Sequence, residues 1–133
     1  MTQNAEITAI RELLQTYYRC FAKFDGEGMK ALWHPEGKLF NVGNRNAFII
    51  RDPATFTERW SVIKQKLDSE LSIEIDDMHH IVAYDTLIAS AEVKWRMVMP
   101  DSWGEHCSYF NLAKIDGTWQ IVGMVDRGWE HTE

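Results

Sequence analysis

Residues His106 to Val125 read HCSYFNLAKIDGTWQIVGMV. Two stretches of alternating character flank Asp116-Gly117, a pair suited to a two-residue hairpin turn because both central positions of that turn need positive φ. With those residues at the turn, Ile115 faces Thr118, Lys114 faces Trp119, Leu112 faces Ile121, Phe110 faces Gly123, Ser108 faces Val125 and His106 faces Arg127. Side chains alternate across a strand, so this register sorts the hairpin into two faces. Trp119, Ile121, Val125, Leu112 and Phe110 share one face, with Ser108 and His106 at the end away from the turn. Gln120, Val122, Met124, Asp126, Asn111, Tyr109 and Cys107 share the other. The first is the more apolar near the turn and is expected to be covered; its polar end is where a pocket would sit. One extra bulge residue would reverse half of this assignment.

Upstream of the hairpin, the apolar spacing is helical. Asn4 is the expected N-cap of a helix over Ala5–Lys23, with Ile7, Ile10, Leu14, Tyr17, Phe21 and Phe24 as its buried stripe and Tyr18 on the flank. Asp25-Gly26 is expected to end it. A short helix over Glu27–Trp33 is expected to stop at His34-Pro35, since the position before proline disfavours helix. Lys38–Val42 and Asn46–Ile50 read as a strand pair about Gly43-Asn44. Asp52-Pro53 opens a third helix with the stripe Phe56, Trp60, Ile63 and Leu67, ending near Asp68. From Glu70 the period becomes two. Leu71, Ile73 and Ile75 alternate with polar residues, and after Tyr84-Asp85 so do Leu87, Ala89, Ala91, Val93, Trp95 and Met97. Pro100-Asp101 separates that run from the hairpin. Helices first and a long meander after predict an α+β fold with helices on one face of an antiparallel sheet.

At 133 residues, with 45% apolar and 26% charged residues, the chain is expected to be one globular domain over 1–133. A net charge of −6 without a basic cluster argues against a nucleic-acid or anionic-membrane partner. Cys20 and Cys107, lacking CxxC spacing, are expected to be reduced and buried, as in a cytoplasmic protein. The opening MTQNAEI has neither a basic segment nor a long apolar run, so no signal peptide or membrane span is expected.

The order of elements, the segment FAKFDGEGMKALWHPEGKLF and the terminal NLAKIDGTWQIV together resemble the nuclear transport factor 2-like superfamily, within it the SnoaL-like and lumazine-binding branches. The resemblance implies a cone-shaped, curved sheet around the first helix (a cystatin-like fold), a pocket at the open end and pairing of two copies through the outer sheet face. It also sets a comparison with the superfamily's steroid isomerases. Their pocket tyrosine falls on Tyr18, their general-base aspartate on Asn41 and their oxyanion-hole aspartate near Ser108. An amide is no useful base near neutral pH, so steroid isomerase chemistry is not expected here.

His106 is the candidate for proton transfer, because an imidazole titrates near neutrality; the competing reading is an inert, half-exposed histidine at a strand end. Tyr18 is either a hydrogen-bond donor to a ligand or a core tyrosine. Asn41 and Ser108 are candidate polar contacts, and Trp33, Trp95 and Phe110 candidate apolar walls, with core packing as the alternative for each aromatic. Asp76-Asp77 and His79-His80 cannot converge from a regular strand, so no metal site is expected, and at most one of the two histidines would face inward after a bulge. The absence of a glycine-rich phosphate loop leaves no cofactor to expect. Met124, Val122 and Tyr109 on the outer face fit a homodimer interface. Two functions follow: a small-molecule pocket, in enzymatic form an isomerase, cyclase or dehydratase, or a dimeric interaction module with a packed cavity.

Overall fold

The protein is described by a computed structural model over residues 2–43, 48–66, 72–98 and 102–132. Helices α1 (Thr2–Lys23) and α2 (Gly26–Lys30) precede strands β1 (Trp33–Val42) and β2 (Phe48–Arg51). Helix α3 (Pro53–Lys66) then leads into β3 (Ser72–Ala83), β4 (Ile88–Val98), β5 (Ser102–Ile115) and β6 (Thr118–Thr132). One six-stranded sheet runs in the order β2-β1-β6-β5-β4-β3 with the helices packed against it, the expected α+β arrangement. Every pairing is antiparallel except β1 with β6, which is parallel. These two strands lie far apart in sequence, so no tight turn dictates their relative direction. Among the described residues no helix is long and apolar enough to cross a membrane.

Helix α1 buries Ile10, Leu14, Tyr17 and Tyr18 against the sheet, with Ile7 and Phe21 partly covered. Asn4 lies inside the helix rather than capping it, and its carbonyl accepts from Thr8 Oγ1 at 2.9 Å. The helix stops at Lys23 as expected, but by a different device. Phe24 takes φ +51°, Asp25 N–H reaches Cys20 C=O at 2.8 Å and Phe24 N–H reaches Phe21 C=O at 3.1 Å, which together make a Schellman closure with a phenylalanine where glycine is usual. Gly26 instead begins α2, capped by Asp25, whose carboxylate accepts from Gly28 N–H at 2.9 Å. Helix α2 ends at Lys30, before the proline can act. The cause is tertiary: Leu32 C=O accepts from Ile121 N–H at 2.9 Å, so the chain has already joined the sheet when it reaches Trp33. Asp52 caps α3 as expected, accepting from Thr55 N–H at 3.0 Å and Thr55 Oγ1 at 2.8 Å.

On β4, Ala89, Ala91, Val93 and Trp95 are buried in the predicted alternation, while Leu87 is exposed in the turn before the strand. Strand β3 slips register between Ile75 and Asp77 and again before His80. The slips leave Ile75, His79 and His80 all exposed, so neither histidine faces inward. The Asn44 half of the first turn, the start of the second strand at Asn46, the end of the third helix at Leu67–Asp68, Leu71 and Pro100-Asp101 lie outside the described residues, as do the side chains of Phe56 and Ile63.

The hairpin decides the position of the site. Asp116 and Gly117 have φ +52° and +83°, the two-residue turn the sequence predicts, and the register holds from Ile115↔Thr118 to Leu112↔Ile121. Asn111 then pairs with Gly123, leaving Val122 as an extra residue on β6. Beyond it the pairs are Phe110↔Met124, Tyr109↔Val125, Ser108↔Asp126 and His106↔Gly128. A one-residue slip exchanges the two faces of a strand. Met124 and Asp126 therefore turn into the core, and Val125, expected to be covered, faces out.

Near the turn, Glu6 of α1 ties helix to hairpin, accepting from Lys114 Nζ at 3.0 Å and from the Trp119 indole N–H. The hydrogen bond from Lys114, then that from Trp119, holds the Glu6 carboxyl below its ordinary value. A carboxyl so lowered stabilises the fold above its unfolded-state pKa, and that contribution is lost as pH falls through the lowered folded value. Urea titrations between neutral pH and pH 3 should therefore show a shallower acid loss of stability for Glu6→Gln than for the wild type.

Candidate functional site

Asp126 is 4% exposed, and a buried carboxylate is costly unless donors replace its water. It has three. Ser108 Oγ donates to Oδ1 at 2.7 Å, while Asn41 Nδ2 at 3.2 Å and His106 Nδ1 at 3.0 Å meet Oδ2. Strand register brings them together: Ser108 is directly opposite Asp126 on β5, and Asn41 directly beside it on β1. Ser108 is in turn held by the Trp95 indole N–H, which donates to its Oγ at 2.9 Å.

His106 pairs with Gly128, two residues past Asp126, and reaches back over β6 to the carboxylate. The reach depends on the missing side chain. A Cβ at Gly128 would sit 2.8 Å from His106 Cε1 and 3.0 Å from Nδ1, and one at Gly104 would sit 3.2 Å from Nε2. On its flat side the imidazole stacks on Trp95, ring centres 4.1 Å apart and planes 12° apart. An ionised Asp126 only accepts, so Nδ1 carries the hydrogen and Nε2 is the nitrogen left free to take or give a proton. The side chain of His106 keeps 20% of its surface open.

These groups close one end of a cavity of about 250 Å³ between the helices and the sheet. Asn41, His106 and Asp126 line it, together with Tyr17, Phe21, Trp60 and Trp95, and so do the half-buried Arg51 and the exposed Arg59. Phe21 and Trp60 stack at 5.5 Å and 17°, giving a flat apolar wall. Of the residues proposed from sequence, the structure brings His106, Asn41 and Trp95 to this cavity. Ser108 stands behind them, fully buried in the network. Trp33 and Phe110 are core residues that do not line the cavity.

Tyr18 is also displaced from the cavity. One helix position earlier, Tyr17 faces it, with its hydroxyl 3.4 Å from Met124 Sδ and burial pushing its pKa well up. Tyr18 packs on Trp95 and Phe110, and its buried hydroxyl lies beside Ser108 without a hydrogen bond of sound geometry. Sequence reasoning missed Asp126, Tyr17, Arg51, Arg59 and the spacing role of Gly128. For Asp126 a signal existed: Gly123 interrupts the alternation of β6, and an isolated glycine inside a strand pattern often marks a bulge. Among the described residues, no three His, Cys, Asp or Glu side chains gather as a metal site would need.

Residues 10–125 match the SnoaL-like domain family. The chain belongs to that family. It lies within the nuclear transport factor 2-like superfamily, and solved structures agree with the fold. A nuclear transport factor 2-like protein of unknown function from Shewanella baltica aligns with a TM-score of 0.68 at 22% identity, over 97% of this chain and 96% of that one. One from Pseudomonas putida aligns at 0.75 and 16% identity, over 93% and 87%. A ketosteroid isomerase-like protein from Erwinia carotovora aligns at 0.67 and 15% identity, over 94% and 97%. No curated protein matches the chain.

Two substitutions separate support of the network from mere proximity to it. Asp126→Ala strands three donors, the Ser108 hydroxyl among them fully buried, and should cost about 2–4 kcal/mol in urea unfolding. Tyr18→Phe removes a hydroxyl that makes no hydrogen bond of sound geometry among the described residues and should leave stability within about 0.5 kcal/mol of wild type, or raise it.

Proposed function

We propose that this SnoaL-like domain binds an apolar or aromatic small molecule in the 250 Å³ cavity and acts on it by general acid–base catalysis through His106. The observation that carries this reading is the 3.0 Å contact from His106 Nδ1 to the buried Asp126 carboxylate. A carboxylate behind an imidazole fixes its tautomer and stabilises the imidazolium formed when Nε2 takes a proton. Isomerisation, cyclisation and dehydration each move a proton between substrate atoms without an electron acceptor, which is what one histidine at the end of an apolar pocket can serve. Asn41 stands where the superfamily's steroid isomerases carry their base, and here it donates to Asp126 instead of abstracting a proton.

The probe reaction is exchange of acidic C–H hydrogens of aromatic ketones for deuterium, followed by NMR. Exchange by the wild type should fall by roughly 10²–10⁴-fold in His106→Gln. Asp126→Asn should also lose rate, since an amide can accept or donate and so no longer fixes the tautomer. Equal exchange by wild type and His106→Gln would remove the histidine from the chemistry.

We further propose that two copies pair through the outer sheet face, as expected from the resemblance, with one change in the residues that form it. Met124 has turned into the core. The bulge brings Val125 into its place, in a cross-strand row with Ile50, Phe40 and Tyr109, all four exposed. An apolar row across four strands is better matched by a second copy than by water. Tyr109→Glu combined with Val125→Glu should convert a dimer to a monomer in sedimentation velocity, with the far-UV spectrum retained. Cys20 and Cys107 are buried free thiols, which suits a reducing compartment such as the cytoplasm.

A further inference from the structure

The proton-transfer end of the cavity uses Asn41, His106 and Asp126, and leaves two cationic residues unexplained. Arg51, at the end of β2, and Arg59, on α3, both line the same cavity. Among the described residues neither is hydrogen-bonded or ion-paired to a carboxylate, although acidic residues outnumber basic ones 20 to 14 in the chain. Nearby acids are engaged elsewhere: Asp52 caps α3 through Thr55. Partial burial, and then the charge of Arg59, press the Arg51 guanidinium towards losing its charge. Arg51 is half-buried and Arg59 exposed at the same cavity, and two like charges this close repel each other until an anion lies between them.

Register fixes where these charges stand relative to His106. Arg51 is opposite Leu39, and Leu39 is beside Met124, whereas Asn41 is beside Asp126. Arg51 and Asp126 are thus two strands apart across the sheet and two residues apart along it, roughly 12 Å between Cα atoms. From His106 the ring contacts run through Trp95 and Phe21 to Trp60, the residue after Arg59, so the aromatic wall leads from the carboxylate towards the two cations. An apolar cavity of about 150 Å³ takes one benzene, so 250 Å³ suits one substituted ring or a small fused pair.

We infer that Arg51 and Arg59 form a carboxylate subsite, and that the ligand is a one- or two-ring aromatic carboxylate held by that group with its reacting atoms towards His106. Planar guanidinium groups meet a carboxylate through two parallel hydrogen bonds, and Asp126 repels the anion from the opposite end, so charge sets the ligand's direction as well as its class. This rests on the pocket reading above and adds the polarity of the ligand to it.

Benzoate and benzamide are near-isosteric probes that differ in charge, and NMR can follow both at millimolar concentration. Benzoate should shift the Arg51 and Arg59 Nε–Hε signals together with the Trp60 and Trp95 indole signals, and bind about tenfold more tightly than benzamide, a difference of about 1.4 kcal/mol. The Arg51→Gln/Arg59→Gln double variant should bind the two alike, and each single variant should lose part of the preference. Equal binding by the wild type, or a preference that survives in the double variant, overturns the carboxylate subsite while leaving the pocket intact. Indole signals unmoved by either probe overturn the subsite and the pocket reading together.

Discussion

A carboxylate almost wholly removed from water needs its lost hydration replaced, and the structure around Asp126 can be understood as that replacement. Its three donors come from two neighbouring strands, Asn41 on β1 and Ser108 and His106 on β5, and the Trp95 indole on β4 steadies the second of them. Four strands of the sheet therefore converge on one charge. The same contacts that make burial tolerable also orient the only imidazole at the cavity among the described residues. Stability and the proposed chemistry share one network, because a donor removed from Asp126 is also a constraint removed from His106.

Placing that network depends on two features too small to read from composition. The extra residue at Val122 rotates the end of β6 by half a pleat, turning Asp126 inward. Gly128, one pleat further, leaves the gap into which the imidazole tilts. Without the bulge the carboxylate would face outward, and with a side chain at position 128 the histidine would be pushed off both Asp126 and Trp95. The flat stacking on Trp95 closes the remaining direction.

Much of the fold was legible because it rests on local signals. The Asp116-Gly117 turn, the Asp52 cap, the stripe of α1 and the buried face of β4 each follow from spacing within a few residues, and each is present. Failures arose where tertiary contacts overrode the local pattern. Helix α2 stops early because Leu32 is recruited to the sheet by Ile121, and α1 closes on Phe24 although a glycine is two residues away. Within the site, His106 and Trp95 were identifiable from residue type and face, and Asn41 from the family resemblance. The local pattern gives Tyr17 only as part of the buried stripe, and the resemblance puts the pocket tyrosine one position later on Tyr18, about 100° away around the helix. The local pattern passes over Arg51 and Arg59, because it ends the second strand at Ile50 and marks the third helix only by its apolar stripe, whereas the pair Leu39↔Arg51 and the packing of α3 bring both to the cavity.

The account turns on one atomic assignment: His106 carries its hydrogen on Nδ1, donated to Asp126, which leaves Nε2 as the nitrogen free to take or give a proton. Imidazole ¹⁵N shifts from long-range ¹H–¹⁵N spectra distinguish the two neutral tautomers and the cation. At a pH where the ring is neutral, His106 should show a protonated Nδ1 and a bare Nε2, and Asp126→Asn should mix the two tautomers. A protonated Nε2 in the wild type, or a tautomer ratio indifferent to Asp126, would contradict the arrangement on which the proposed chemistry depends.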